Sequence, residues 1–178
     1  MAKQRNPSKE KGDVSESPAS GAEAAPNPEL KVLAQYIKDL SFESPSAPEA
    51  LRSPGQNPQL RLDVNVRVTP GSEETHEVAL NLEAHTKNDT GVIYHLELTY
   101  AGIFRLRHIP RTLLPPILWV NCPTMLFPFL RRVVGDITRD SGFPPLMLDP
   151  IDFGSLYARQ LAEARASLQA SEDKSQPA

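Results

Sequence analysis

The chain has 178 residues, a formal net charge of −3, 39% apolar residues and 18 prolines. This length suits one domain with tails. The negative charge argues against a general nucleic-acid binder, which needs a basic face to neutralise phosphates. The single cysteine excludes an internal disulfide and a cysteine-based zinc site. No apolar run reaches the roughly 18 residues of a membrane span, and the N-terminus lacks the apolar core of a secretory signal, so we expect a cytoplasmic protein.

The two ends of the chain differ in composition from its centre. Residues 1–29 combine Ser, Pro, Ala, Glu and Lys with almost no bulky apolar side chain, and residues 169–178 are similar. Such segments bury too little apolar surface to offset the entropy lost on ordering. We predict a disordered N-terminal tail over 1–29, a folded domain over 30–168 and a flexible C-terminal tail over 169–178.

Four segments in chain order are predicted to form strands. In "YIKDLSFES", Leu40 and Phe42 share one side, and the following loop has room for one helical turn. The segment "QLRLDVNVRVT" alternates strictly between apolar and polar residues, which is typical of a strand with one buried face. "HEVALNLEAHT" and "VIYHLELTYAGIFRL" alternate in the same way, and "NDTG" between them suits a hairpin turn. These segments predict an antiparallel sheet with one apolar face that needs a cover.

The hairpin between the last two strands has a polar face with histidines and carboxylates. Pairing Asn88 with Val92 sets two further pairs on that face, namely His85 with His95 and Glu83 with Glu97. Such a group could bind a metal ion or perform acid–base chemistry. We favour an exposed polar face, because an open sheet lacks the walls and supporting contacts of a metal site. Opposed glutamates destabilise a sheet, so this acidity indicates either ordinary solubility or a docking surface for a basic partner.

The cover is predicted in the segment "CPTMLFPFLRRVVGDITRD". Its apolar residues recur every three or four positions, which is typical of an amphipathic helix; they are Leu126, Leu130, Val133, Val134 and Ile137. Gly142 suits the end of this helix. Pro128 requires that the helix either restarts or is kinked, with packing as compensation. A second helix is predicted to begin after Asp152, a suitable cap.

The same segment contains a cysteine and two adjacent arginines that could carry chemistry. Cys122 has no histidine near it in the sequence, so we predict a buried structural thiol and not a reactive one. Arg131 and Arg132 are predicted to lie on a solvated helix face, where they could pair with Asp136. A phosphate clamp is the less favoured alternative for these arginines.

Several blocks in the chain together resemble the SecB family of bacterial protein-export chaperones: "YIKDLSFESPSAP", "AGIF", "CPTMLFPFLRRVVGDITRDSGFPPLMLDPIDF" and "LYARQ". The resemblance covers about residues 33–160. It implies an α+β fold with a four-stranded antiparallel sheet, one long and one short helix, and a homotetramer built as a dimer of dimers. It implies a cytoplasmic, nucleotide-independent holdase that binds unfolded precursor proteins and delivers them to the motor ATPase SecA. It implies no catalytic residue, cofactor, metal ion, nucleic acid partner or membrane insertion.

The resemblance also assigns binding residues. The acidic surface that docks SecA in the family matches Asp39, Glu43 and Glu97, all on the polar side of the predicted strands. The apolar client groove of the family matches Leu60, Leu62, Val64 and Phe153. For the three strand residues, a place in the protein core is an equally good interpretation. His95 departs from the family pattern, which can have an apolar residue there, and its charge could make docking pH-sensitive.

Two other functions remain open. A general or toxin–antitoxin-linked holdase of the same fold would bind a toxin and not an export precursor. A small-ligand enzyme would use the face that carries His85, His95, Glu83 and Glu97. The sequence contains no GxSxG, HExxH, P-loop or CxxC motif, which weakens the enzyme hypothesis.

Overall fold

The computed structural model describes residues 27–53, 55, 57–71 and 74–173, with side chains described only up to residue 166 in the last helix. It contains a four-stranded antiparallel sheet and helices, which confirms the predicted α+β class. Most of the predicted N-terminal tail and the end of the C-terminal tail lie outside the described residues. Among the described residues, no helix combines the length and the apolar composition needed to cross a bilayer.

The sheet consists of β1 (Glu29–Glu43), β2 (Gln59–Pro70), β3 (Thr75–Asn88) and β4 (Gly91–Arg107). Their order is β1-β4-β3-β2, so β2, β3 and β4 form consecutive hairpins while β1 pairs with β4. The connection from β1 to β2 crosses to the opposite edge of the sheet and contains the predicted helical turn, α1 (Glu49–Arg52). Among the described residues, no strand pairs with the outer edge of β1 or with that of β2.

The predicted inward side of β3 and β4 is confirmed by burial. Their inward residues are each at most 7% exposed: Val78, Leu80, Leu82, Ala84, Tyr94, Leu96, Leu98, Tyr100, Phe104 and Leu106. A smaller cluster surrounds Tyr94, whose ring centroid lies 5.4 Å from that of Phe42 and 5.2 Å from that of Phe143. The strands therefore present one apolar face to the helices, as alternation in the sequence requires.

The cover begins earlier than predicted. Helix α2 (Leu114–Pro116) leads into a π-helical stretch (Ile117–Asn121) and then into α3 (Cys122–Asp140) without a break. The α3 residues Leu126, Leu130 and Val134 are fully buried against the sheet, as predicted. Helix α3 continues through Pro128 and does not restart there.

The end of α3 confirms the role predicted for Gly142. This glycine adopts a φ of +88°. Its N–H donates to the carbonyl of Arg139 at 2.9 Å, and the N–H of Phe143 donates to the carbonyl of Thr138 at 3.1 Å. These two bonds satisfy carbonyls that a helix end leaves free. The buried Thr138 hydroxyl also accepts a hydrogen bond from the N–H of Leu146 at 2.9 Å, which fixes the following loop on the helix.

Cys122 is fully buried, which confirms the structural thiol. Burial raises the pKa of this thiol to about 12, so it carries almost no reactive thiolate at neutral pH. The pairing considered for the adjacent arginines is wrong: Asp136 accepts a hydrogen bond from Arg139 at 2.9 Å instead. Arg139 lies about one turn beyond Asp136, in the last turn of α3, where the helix dipole favours a cation.

The last helix, α4 (Phe153–Asp173), is capped as predicted. The N–H of Ser155 donates to Asp152 at 3.0 Å and its hydroxyl donates to the other carboxylate oxygen at 2.7 Å. These hydrogen bonds lower the pKa of Asp152. The helix continues beyond Leu168, where the predicted domain ends, and it is shorter than the helical segment that runs from Leu114 to Asp140.

Three side chains tie β1 to β3 across the uncovered face of β4. The hydroxyl of Tyr36 donates to Glu77 at 2.8 Å, and the ammonium of Lys38 binds the other oxygen of the same carboxylate. The pKa of Glu77 is lowered, mainly by the hydrogen bond from Lys38 and to a smaller extent by the hydrogen bond from Tyr36. This contact stabilises the position of the edge strand β1.

We expect Glu77→Gln to lower the free energy of unfolding at pH 7 by about 1 kcal/mol, since the contact is partly exposed. Because the pKa of Glu77 is lower in the folded state, its stabilisation is present above the unfolded pKa and is lost as the pH falls through the folded pKa. Urea unfolding of both proteins at pH 7 and below about pH 4 measures this difference. An equal difference at both pH values would contradict the prediction.

Candidate functional site

Three successive rows of paired residues cross the uncovered face of the sheet. From β1 through β4 and β3 to β2, the rows are Glu43-His95-His85-Arg61, Ser41-Glu97-Glu83-Asp63 and Asp39-Thr99-Asn81-Asn65. The register thus brings together the three predicted docking residues. It also adds two carboxylates, so that we define the acidic face by Asp39, Glu43, Asp63, Glu83 and Glu97.

The centre of the acidic face is a shallow depression of about 280 Å³. Its rim carries four carboxylates, those of Asp39, Asp63, Glu83 and Glu97, together with the polar side chains of two asparagines and one threonine. The hydroxyl of Thr99 donates to Asn81 at 3.0 Å. Arg61 lies at the margin and donates to Asp63 at 3.0 Å, with both side chains at least half exposed. The depression therefore presents carboxylates to solvent and suits a cationic partner.

The predicted pairing of β3 with β4 is correct at His85 and Glu83, but it is wrong at the turn, where Asn88 was expected to pair with Val92. Asn88 pairs with Gly91, and Lys87 pairs with Val92. A β-bulge at Ile93 then adds one residue to β4, and this restores the predicted pairs His85–His95 and Glu83–Glu97. The serine-rich segment after β1 supports the bulge, because hydroxyl groups donate to the carbonyls of Val92 and Ile93 at 2.6 and 2.9 Å.

His95 lies between two carboxylates on this face. Its Nε2 atom is 3.3 Å from a carboxylate oxygen of Glu83 and 3.6 Å from one of Glu97. The ring of His85 meets the His95 ring edge-on, with 5.5 Å between centroids. Ser41 pairs with Glu97 and Thr99 lies in the next row, but neither has a described hydrogen bond to His95, and the depression is open to solvent. Its arrangement suits ionic contacts with a partner better than catalysis.

The opposite face of β2 changes from buried to exposed along the strand. Val66 is 8% exposed and Val64 is half-buried against the core, whereas Leu62 and Leu60 are 38% and 47% exposed. The three strand residues predicted for the client groove therefore share one side of the sheet. We define this surface by Leu60, Leu62 and Val64 and call it the β2 apolar surface.

Phe153, the fourth predicted groove residue, does not lie on the β2 apolar surface. It is 2% exposed and belongs to the core, where its ring packs edge-on against Phe127 with centroids 6.0 Å apart. It lines a separate cleft together with Pro128 and Ile151. Phe153 is the buried residue of the first turn of α4, whereas Ser155 in the same turn is exposed.

Two further apolar patches were not predicted from the sequence. The edge strand β1 exposes large side chains at 37% to 45% of their surface, namely Leu30, Leu33, Ile37 and Leu40. The outer side of α3 exposes Met125 and Phe129 at 39% and 43%. A helix-period count detects the second patch, since both residues lie off the buried stripe. Apolar groups of this size on an unpaired strand favour association with another chain.

Comparisons with known proteins agree with the resemblance seen in the sequence. The family model "Preprotein translocase subunit SecB" matches residues 23–164. A protein-export protein SecB from Maricaulis maris is 48% identical over 160 residues, which cover 90% of this chain and 92% of that protein. A protein-export protein SecB from a Bradyrhizobium species is 50% identical over 147 residues, covering 83% of this chain and 90% of that protein.

A solved structure supports the fold. The SecB-like chaperone of Mycobacterium tuberculosis, in complex with a ChAD peptide from the HigA1 antitoxin, superposes with a TM-score of 0.57 at 16% identity, covering 68% of this chain and 90% of that one. The family model and the two relatives span nearly the whole described domain, so they identify the family of this chain. The chain belongs to the SecB family of protein-export chaperones.

Proposed function

We propose that this protein is a holdase that keeps precursor proteins unfolded for export and delivers them to the motor ATPase SecA. The observation that carries the proposal is a sheet with two chemically different exposed surfaces on its opposite sides. One is the β2 apolar surface and the other is the acidic face. Export chaperones of the same family, 48% and 50% identical to this chain, support this function over a toxin-linked one.

The β2 apolar surface suits an unfolded client. Apolar burial has no directional requirement, so one surface accepts many sequences. No described strand pairs with the outer edge of β2, which leaves room for an extended chain beside Leu60 and Leu62. An unfolded client that contacts several such surfaces buries about 1,000–3,000 Å² of accessible surface. Its many weak contacts add through multivalency.

The two additional apolar patches support a homotetramer built as a dimer of dimers. Each level of such an assembly needs its own self-complementary interface. The exposed β1 side chains and the outer side of α3 supply two separate apolar areas for this purpose. Assembly would also cover the 15-residue edge of β1, which is otherwise open to unwanted pairing.

The acidic face suits the motor. Charged groups steer association and fix orientation, while their contribution falls as salt screens them. Binding and release of clients then require no chemistry in this chain, because the motor supplies the energy. This function needs neither catalytic residue nor cofactor, and it places the protein in the cytoplasm.

Native mass spectrometry tests the proposal most directly. We expect a tetramer that binds a urea-unfolded precursor and ignores the same precursor after folding. The folded precursor is the control for non-specific adhesion. A monomer that fails to bind the unfolded form would refute the holdase function.

A further inference from the structure

We propose that Glu83, His95 and Glu97 form a binding site for one divalent first-row transition metal ion, with Zn²⁺ as the reference ion. Each residue offers one ligand atom, and the three atoms lie within 4.8 Å of one another. Imidazole nitrogen and carboxylate oxygen are ordinary zinc ligands. The sequence favoured a polar face without metal, and the convergence of these side chains changes that interpretation.

The distances fit a metal ion between the ligands. In a tetrahedral zinc site with bonds of about 2.0–2.1 Å, neighbouring ligand atoms lie about 3.3–3.4 Å apart. The Nε2 atom of His95 is 3.3 Å from Glu83 and 3.6 Å from Glu97. The three ligand atoms lie within 4.8 Å of one another, so the two exposed carboxylates must rotate closer together before all three atoms surround one ion.

The backbone holds the three residues together for this purpose. Glu83 and Glu97 are directly paired across β3 and β4, and His95 lies two residues before Glu97 on the same face. The neighbouring ring of His85 meets His95 edge-on and limits its rotation. Like charges directly opposite each other destabilise a sheet, and a divalent cation removes this repulsion. The remaining coordination positions face solvent, since the two glutamate side chains are 58% and 54% exposed.

Metal binding has a consequence for docking, which rests on the proposed function. Two carboxylates and one neutral imidazole carry two negative charges, which a divalent ion cancels. The centre of the acidic face then no longer attracts a cationic partner, so a bound ion weakens docking of the motor. The site would couple metal availability to delivery, while the β2 apolar surface on the other side stays unchanged.

Titration calorimetry of the tag-free full chain with Zn²⁺ alone tests the site. We expect one ion per chain. His95→Gln and Glu83→Gln should each weaken binding about tenfold or more. His108→Gln, an exposed histidine outside the acidic face, serves as the matched control and should bind like the parent. Thermal unfolding without zinc verifies that each variant is folded, and nitrogen NMR of the His95 ring should show a zinc-dependent shift.

Zinc binding that is absent, or that is equal in His95→Gln and the parent, would overturn the site. A second experiment measures docking of the motor to the parent and to His95→Gln, with and without zinc. Zinc should weaken docking only in the parent. Unchanged docking with zinc bound would overturn the coupling, whereas a motor that never docks to a zinc-binding chain would count against the proposed function instead.

Discussion

Reversing three charges on the acidic face, with Asp39→Lys, Glu43→Lys and Glu97→Lys together, should abolish measurable docking of the motor ATPase. The three residues lie in adjacent rows of one face, so their substitution replaces negative by positive charge in all three rows. We expect a loss in affinity of about 100-fold or more, because like charges at an interface cost several kcal/mol. Binding of an unfolded precursor should be unaffected, since the β2 apolar surface lies on the other side.

A matched triple variant separates this local effect from net charge. Glu49→Lys, Asp140→Lys and Glu163→Lys change the total charge by the same amount at exposed positions on helices away from the acidic face. Calorimetry with the motor and with a precursor measures both affinities for each variant. The docking assignment fails if the two triple variants lose motor affinity equally, or if the first retains it.

A single substitution on the opposite face should separate client binding from folding. Leu62→Arg is expected to weaken binding of an unfolded precursor about tenfold, since a leucine contributes about 1.5–3 kcal/mol when it is buried and an arginine resists dehydration. Leu62 is already 38% exposed, so the tetramer and its unfolding transition should be retained. Fluorescence anisotropy of a labelled precursor measures the affinity.

Two substitutions on the same strand are the controls for Leu62→Arg. Asn65→Arg adds the same charge on the acidic face and should leave client binding unchanged. Val66→Arg places the charge at a position that is 8% exposed and should unfold the domain. A Leu62→Arg protein that loses its fold as Val66→Arg does would show that Leu62 is a core residue and has no client role.

The inward and outward sides of β2, β3 and β4 were predictable because each strand alternates over its length with one wet face. The first half of β1 was missed for the opposite reason. The segment "ELKVLAQ" has no strict alternation, and register shifts at Leu33 and Lys38 change which side faces the core. Strand order was not predicted either, since β1 meets β4 only through contacts distant in sequence.

The side of the sheet on which the three proposed docking residues lie could be predicted from alternation in the sequence, but the acidic face as a unit could not. Asp63 occupies a polar position of its strand like several others. Its place beside Glu83 depends on the β2–β3 register, and that of Asp39 depends on a bulge in β1. The burial of Phe153 could not be predicted, because an aromatic residue at a helix start has the same sequence signature in a groove and in the core. The structure shows its packing against Phe127, and its role in client binding stays a prediction.

Leu62 and Asp63 are neighbours in the chain, yet their side chains leave opposite sides of a single layer of backbone. Cargo and receptor therefore need not compete for space, and a three-component complex should form without either one leaving first. Under the proposed function, the receptor would also meet the same carboxylates whether the chaperone is loaded or empty. Contact with the client itself would, under the same function, let the motor distinguish the two states.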